Sequence, residues 1–107
     1  MSNGFKNVKL DLTSTDATVL YTAPASKTAI FKSILVSEDS GNADTITVTI
    51  TDASAAVFSL FKVKAVAANT TVELLGQPLV VETGEILKFA AATANRLHVV
   101  ASYLEIS

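Results

Sequence analysis

Residues 45–51 read Thr-Ile-Thr-Val-Thr-Ile-Thr, an unbroken alternation in which every side chain is β-branched. β-Branched residues are stiff at χ1 and favour extended backbone, and a period of two matches the pleat of a β-strand. The segment therefore predicts a strand with Ile46, Val48 and Ile50 facing inward and the threonines facing outward.

Short apolar segments separated by turn residues fill the rest of the 107-residue chain. Turn chemistry recurs between them, for example around Pro24, Gly41, Gly84 and Asn95. The further predicted strands are Val8–Leu12, Thr18–Thr22, Thr28–Ser37, Val57–Val63, Thr71–Leu75, Leu79–Val81, Ile86–Ala91 and Leu97–Ile106. About eight to nine short strands without a long linker predict one all-β domain over residues 8–107, an antiparallel, jelly-roll-like β-sandwich preceded by an N-terminal arm of residues 1–7.

The composition predicts a protein that buries part of its surface against other proteins. Hydrophobic residues make up 50% of the chain and charged residues 17%, against roughly 25% charged in an ordinary domain. A small domain has a high ratio of surface to volume and should need more polar residues rather than fewer, so we expect self-association. The formal net charge of −2 would not attract nucleic acid or anionic lipid. No apolar stretch is long enough to span a bilayer, and the arm lacks the apolar core of a signal peptide.

The sequence offers little to support an enzyme, a metal site or a cofactor. The absence of cysteine excludes disulfides and thiolate metal sites. His98, the single histidine, lies in a predicted strand without a recognisable nucleophile motif, so an ordinary strand histidine is favoured over a general base. The acidic loop Glu38–Asp44 does not have the spacing of a calcium loop, and a solvated hairpin loop is favoured. We therefore expect no catalytic, cofactor-binding or metal-ligating residues.

The aromatic residues divide into an expected core and a set of candidate interaction residues. Four of them lie within predicted strands and are expected in the core: Phe31, Phe58, Phe61 and Phe89. Tyr21 and Tyr103 flank strand ends and are expected at a rim. Phe5 lies with Met1 in the otherwise polar arm, whose ordering would cost roughly 1–2 kcal/mol per residue. Phe5 would either fold back on its own domain or anchor the arm on a neighbour. The candidate interaction residues are thus Phe5, Met1, Tyr21 and Tyr103.

The segment Leu20–Val36, which reads LYTAPASKTAIFKSILV, resembles a stretch found in small virion proteins of tailed bacteriophages. The C-terminal half is similar as well, in Leu74–Gly76, Pro78–Val81, Gly84–Lys88 and Val99–Ile106. The likeness extends from about Val8 onward and consists mainly of turn residues placed between strands. Ser26 departs from it, since these proteins often have glycine there.

This resemblance implies a structural, non-enzymatic role in a phage particle. The expected function is capsid decoration (a cement protein), by a homotrimer that contacts the major capsid protein in a virion assembled in the host cytoplasm. The alternatives are a tail, neck or fibre-associated virion protein, and a host-glycan-binding attachment module. No catalytic residues are implied.

Overall fold

The structure, a computed structural model, describes residues 3–107, which form nine β-strands and no helix. The strands are β1 (Asn3–Asp11), β2 (Thr18–Thr22), β3 (Thr28–Glu38), β4 (Asp44–Thr51), β5 (Val57–Val66), β6 (Thr71–Glu73), β7 (Leu79–Val81), β8 (Ile86–Ala91) and β9 (Leu97–Ile106). The all-β prediction is confirmed, and the bounds of β2, β7, β8 and β9 are those expected from the sequence.

The strands form two antiparallel sheets whose pairing is nested. One sheet has the order β1-β9-β3-β6, with β7 also paired to β3, and the other has the order β2-β8-β4-β5. The first strand thus pairs with the last, β2 with β8, β3 with β6 and β7, and β4 with β5. Such a pattern is that of one long hairpin rolled into a sandwich, which is the jelly-roll topology. The antiparallel jelly-roll sandwich is confirmed.

The core lies between the sheets and is filled by alternate residues of the inner strands. Ile46 and Val48 are fully buried while the intervening Thr47 is partly exposed, as the alternation predicts. Phe31 and Phe89 are the largest fully buried side chains. This layer removes from water the apolar surface that provides most of the driving force for folding.

The first strand begins at Asn3, five residues before the predicted Val8. Residues 3–7 are paired with residues 102–106 of β9, so the prediction of a separate arm is wrong for them. A polar segment can be ordered by main-chain hydrogen bonds to a neighbouring strand, without burying its own side chains. Met1 and Ser2 lie outside the described residues.

Strand β5 departs from the expected core pattern because it is the edge of its sheet. Phe58, expected in the core, is 55% exposed. Lys62 and Lys64 lie on this edge, where lysines discourage pairing with other chains. The same explanation fails for Lys32 and Lys88, since β3 and β8 are inner strands.

Candidate interaction surface

A row of four apolar residues crosses the outer face of the five-stranded sheet. The strand register places Phe5 opposite Leu104, Leu104 opposite Ile30, and Ile30 opposite Val80. Phe5 is 77% exposed and Val80 49% exposed, while Leu104 and Ile30 are partly exposed. We call this set of Phe5, Leu104, Ile30 and Val80 the apolar row. It forms a continuous band because directly opposed side chains on one face of a sheet lie about 5 Å apart.

The rest of this outer face is more polar than the apolar row, apart from Val100 and Leu35, which are each 37% exposed. Lys32 is exposed and borders a shallow depression together with Phe5 and Ser102. The successive rows after the apolar one are Asn7-Ser102-Ser33, Lys9-Val100-Leu35-Glu73 and Asp11-His98-Ser37-Thr71. The face is therefore banded along the strand direction, apolar toward one end and charged toward the other.

The outer face of the four-stranded sheet has a different character. Its central strand β4 presents Thr45, Thr47 and Thr49, all partly exposed, and the adjacent β8 presents Lys88. Hydroxyl groups remain hydrogen-bonded to water at such a surface, so this face gains little by being covered. The two faces of the sandwich are thus chemically unequal.

Phe5 does not pack inside its own sandwich. Its exposure excludes the alternative in which the side chain folds back on the domain. Alternation along β1 directs Phe5 to the outer face, whereas the Lys6 side chain, 53% exposed, lies on the other side of the strand and reaches Glu105. Anchoring on a neighbour, the other alternative, stays a prediction for Phe5, and Met1 lies outside the described residues.

Tyr21 and Tyr103 are buried, so their expected place at a rim is wrong. Each is 8% exposed, and both rings contact Phe31, with centroids 5.3 Å and 4.9 Å from its ring. The alternation of β9 directs Tyr103 inward, and a register shift between Val19 and Tyr21 in β2 lets Tyr21 face the core as well. These tyrosines close one end of the core and are not available to a partner in the way a rim residue would be.

Glu105 is a buried carboxylate that joins β1, β2 and β9. It accepts a hydrogen bond from Lys6 Nζ at 2.8 Å and one from the Tyr21 hydroxyl at 2.8 Å, and Lys27 Nζ lies 3.8 Å away. The hydrogen bonds from Lys6 and Tyr21 outweigh burial and hold the pKa of Glu105 below its usual value. Burial, reinforced by the Glu105 charge, raises the pKa of Tyr21. The alternation of Leu97–Ile106 was the sequence signal that Glu105 faces inward.

Glu38 is the second buried carboxylate, and it organises the acidic loop from within. It is 1% exposed and accepts main-chain hydrogen bonds from Ser40, Gly41 and Asn42 in its own loop, and from Asn69 in the connection between β5 and β6, at 2.9–3.2 Å. The Ser40 hydroxyl also donates to it. Burial by itself would raise the pKa of Glu38, but these bonds outweigh it and lower the pKa to about 2.

The carboxylate of Glu38 therefore has its acceptor capacity used by the protein's own N–H groups rather than turned toward a cation. Within residues 3–107 no three or more histidine, cysteine, aspartate and glutamate side chains are arranged to hold a metal ion. The expected hairpin is wrong for residues 38–44, because this loop joins β3 and β4, which lie in different sheets.

His98 lies on the outer face between two exposed carboxylates. Its Nε2 is 3.2 Å from Asp11 Oδ1, and its Nδ1 is 3.5 Å from Asp39 Oδ2. The register neighbour Ser37 accepts a hydrogen bond from Thr71 instead. Both ring nitrogens thus face acceptors, an arrangement that holds a histidine on a surface but does not activate a hydroxyl nucleophile. That the protein is not an enzyme stays a prediction.

Comparison with known proteins identifies the fold but not a family. No protein-family model and no curated protein matches the chain. Among solved structures, the chain is similar to one from Bacillus endospore appendages, which are described as a novel family of disulfide-linked pili. The TM-score is 0.59 at 12% sequence identity, over 99% of this chain and 88% of that one. The likeness shows a shared fold alone.

Two further observations bear on the comparison. The 107 residues contain no cysteine, so the disulfide links described for the appendages have no counterpart here. In the part of the chain that the structure describes, no helix is long and apolar enough to cross a membrane.

Proposed function

We propose that this protein is a non-enzymatic structural subunit of a bacteriophage particle, in which it decorates the capsid and braces the shell. The observation that carries the proposal is the apolar row on the outer face of the five-stranded sheet, with Phe5 exposed at its end. Exposed apolar bands of this kind mark surfaces that other proteins cover. The function would then be mechanical, since opening the shell would require breaking many such contacts at once.

The outer face is large enough for a specific contact. Four rows along the strands and four strands across give a patch of roughly 27 Å by 19 Å, on the order of 500 Å² per partner. A specific interface buries at least about 1,000 Å² in total, so the face meets that requirement when a partner of similar shape covers it. The charged row at the other end of the face supplies the polar margin that interfaces usually have.

The resemblance of Leu20–Val36 to small virion proteins supports a phage particle as the setting, and the major capsid protein is the proposed partner of the outer face. A homotrimer is one form of self-association consistent with this role, but a three-fold contact joins two different patches of the subunit. Tail, neck or fibre-associated positions remain the alternatives within a virion, and copy number separates them. A capsid protein is expected in hundreds of copies per particle, and a tail or neck protein in about a dozen or fewer.

Binding to emptied phage shells tests the proposal directly. We expect the purified wild-type protein to co-sediment with shells stripped of their accessory proteins, and Phe5→Ser to lose most of that binding. Phe58→Ser is the matched control, since Phe58 is similarly exposed but lies on the edge of the other sheet. Both variants should keep the wild-type melting temperature, because neither side chain is in the core.

Two results would contradict the proposal. The first is that the wild-type protein binds no shells but binds to host cells, which would favour the attachment module. The second is equal loss of shell binding in Phe5→Ser and Phe58→Ser, which would show that the apolar row is not the contact.

A second candidate is a subunit of a self-assembling filament. The observation that favours it is the fold shared with the subunit of the endospore appendages. Electron microscopy of the concentrated wild-type protein distinguishes the two, since a filament subunit forms fibres without shells whereas a decoration protein does not.

A further inference from the structure

The sandwich has four sheet edges, and they are not equally protected against pairing with another chain. An edge strand exposes unpaired N–H and C=O groups, which is why proteins usually shorten, bend or charge such strands. The edges here are β1 and the β6–β7 pair in one sheet, and β2 and β5 in the other. Comparing them shows where a further strand could be added.

Three of these edges are blunted. Strand β2 has five residues and a register shift between Val19 and Tyr21. The edge opposite β1 in the same sheet is divided into two pieces of three residues each, β6 and β7. Strand β5 is long, but its pairing with β4 shifts twice, and Val63 has a positive φ of 52°. Bulges and breaks of this kind twist an edge away from a partner.

Strand β1 carries Lys6 and Lys9 but neither a bulge nor a break. Its nine residues pair with β9 in one continuous register, without a bulge or proline. Apart from that ladder, no backbone–backbone hydrogen bond joins residues 4–10 to another described residue. In an antiparallel strand about half of the residues direct their N–H and C=O groups to each side, so β1 presents a regular set of unpaired groups on its free edge.

We propose that β1 is a self-pairing edge: two copies of this chain join antiparallel along their β1 strands, about a two-fold axis at Asn7, into one continuous sheet. This rests on the proposed structural role, because it names a second copy as one partner of the assembling subunit. A two-fold contact is self-complementary, so no second type of surface patch is needed. The outer faces of the two sheets then form one surface, which remains free to bind a shell.

The side chains of β1 favour this register. Centred on Asn7, all nine residues of each strand are paired, with Phe5 opposite Lys9 of the second copy and Lys6 opposite Val8 of the second copy. No like charges are directly opposed, and the aliphatic stem of Lys9 lies beside the ring of Phe5, whose outward face stays exposed. A shift of two residues toward the N-terminus pairs seven residues and opposes two copies of Lys6. A shift of two residues in the other direction also pairs seven and opposes Phe5 to Asp11.

Cysteine cross-linking tests the register, because the natural chain has no cysteine to interfere. In Asn7→Cys the two introduced thiols lie directly opposite each other, within the Cα separation of about 4.4–6.8 Å that a disulfide requires. We expect mild oxidation to convert most of this variant into a covalent dimer. The matched control is Ser102→Cys, whose residue is the register partner of Asn7 on β9 and lies on the same face. The two copies of residue 102 would be about 14 Å apart, so this variant should not cross-link.

A mixing experiment refines the result. Phe5→Cys and Lys9→Cys should cross-link with each other when mixed, and much less when each is oxidised alone, since like positions are then about 14 Å apart along the strands. All four reduced variants should have the melting temperature of the wild-type protein, because the substituted side chains are outside the core.

Three outcomes would overturn the proposal. An Asn7→Cys protein that forms no disulfide-linked dimer under oxidation would exclude the edge contact, and efficient cross-linking of Ser102→Cys would replace it with a face-to-face contact. A wild-type trimer without even-numbered species in sedimentation would exclude the two-fold axis. None of these results contradicts shell binding by the wild-type protein, so failure of the edge contact can be told apart from failure of the proposed function.

Discussion

Strands β1 and β5 are the two long edges of the sandwich, and their local structures differ. Strand β1 is nine residues long and regular, while the ten residues of β5 are interrupted by two register shifts and a left-handed valine. Both edges expose a phenylalanine, Phe5 on β1 and Phe58 on β5. Exposed aromatic residues are therefore not what distinguishes the two edges. The difference lies in the backbone, which is open to pairing in β1 and distorted in β5.

The buried carboxylates support the two edges in different ways. Glu38 accepts a hydrogen bond from the N–H of Asn69 and so holds the connection that follows β5 in place. Glu105 accepts a hydrogen bond from Lys6 and so holds β1 against β9. Each edge thus depends on one buried acid, and substituting these acids is a way to disturb one edge while leaving the other intact.

The largest effect is expected for Glu38→Ala. Four main-chain N–H groups and one hydroxyl lose their acceptor at once, in the loop after β3 and in the connection after β5. We expect a large fall in melting temperature together with aggregation through β5, whose connection is no longer held. Hydrogen exchange should show the loss of protection in β5 and the Glu38 loop, with β1 and β9 nearly unchanged.

The same residue predicts a pH dependence. Because the folded-state pKa of Glu38 is lowered to about 2, its contribution is fully present above the unfolded pKa of about 4.3. That contribution is lost as the pH falls through the folded pKa near 2. Glu38→Gln should flatten the stability profile in this window, whereas the exposed Glu82→Gln should leave it unchanged. If the stability of wild type and of Glu38→Gln changed with pH in parallel, the lowered pKa of Glu38 would not be the cause of the pH dependence.

A smaller effect is expected for Glu105→Gln, which disturbs the β1 side. The amide oxygen can still accept from Tyr21, but Lys6 loses its charged partner. Stability should fall moderately above about pH 4.3 and little below it, since a carboxylate with a lowered pKa contributes mainly when ionised. The tyrosinate absorbance should also appear at lower pH, because the Glu105 charge is one of the causes that raise the pKa of Tyr21.

Lys6→Met separates the two interactions of Glu105. This variant keeps the Tyr21–Glu105 hydrogen bond and the longer Lys27 contact and removes the Lys6 ion pair, so the pKa of Glu105 should rise toward its usual value. If Lys6→Met and Glu105→Gln both left the pH profile as in wild type, the ion pair would not be what holds β1 against β9.

Much of the fold could be predicted from local pattern, and the candidate surface only in part. The Thr45–Thr51 alternation and the turn residues give most strand bounds, because both signals are local in sequence. The apolar row combines Phe5, Leu104, Ile30 and Val80, which come from four strands far apart in the chain. Their alignment depends on the nested pairing, which no local pattern specifies.

Two errors have a shared physical cause. The sequence predicted an arm separate from the domain at residues 1–7 because its side chains are polar, and it predicted Phe58 in the core because its side chain is apolar. Both inferences relied on side chains, whereas the position of a strand at the edge of a sheet decides the outcome. An edge strand can be ordered by its backbone alone, and its apolar residues can remain exposed.

The smallest effect is expected at Val63, where the distortion of β5 can be tested by relieving it. A β-branched residue in left-handed backbone is strained by about 1–2 kcal/mol. The side chain is 60% exposed, so removing it costs little burial. Val63→Gly should therefore raise the free energy of unfolding by up to about 1 kcal/mol in chemical denaturation. The slope of that free energy against denaturant concentration should stay unchanged. Val57→Gly is the matched control, because Val57 is 62% exposed on the same strand and its φ is not positive. It should destabilise by roughly 0.5–1 kcal/mol, as glycine does in an ordinary strand. If both glycine variants destabilised the protein equally, Val63 would not be strained, and the contrast between a distorted β5 and an open β1 would have to rest on the register shifts alone.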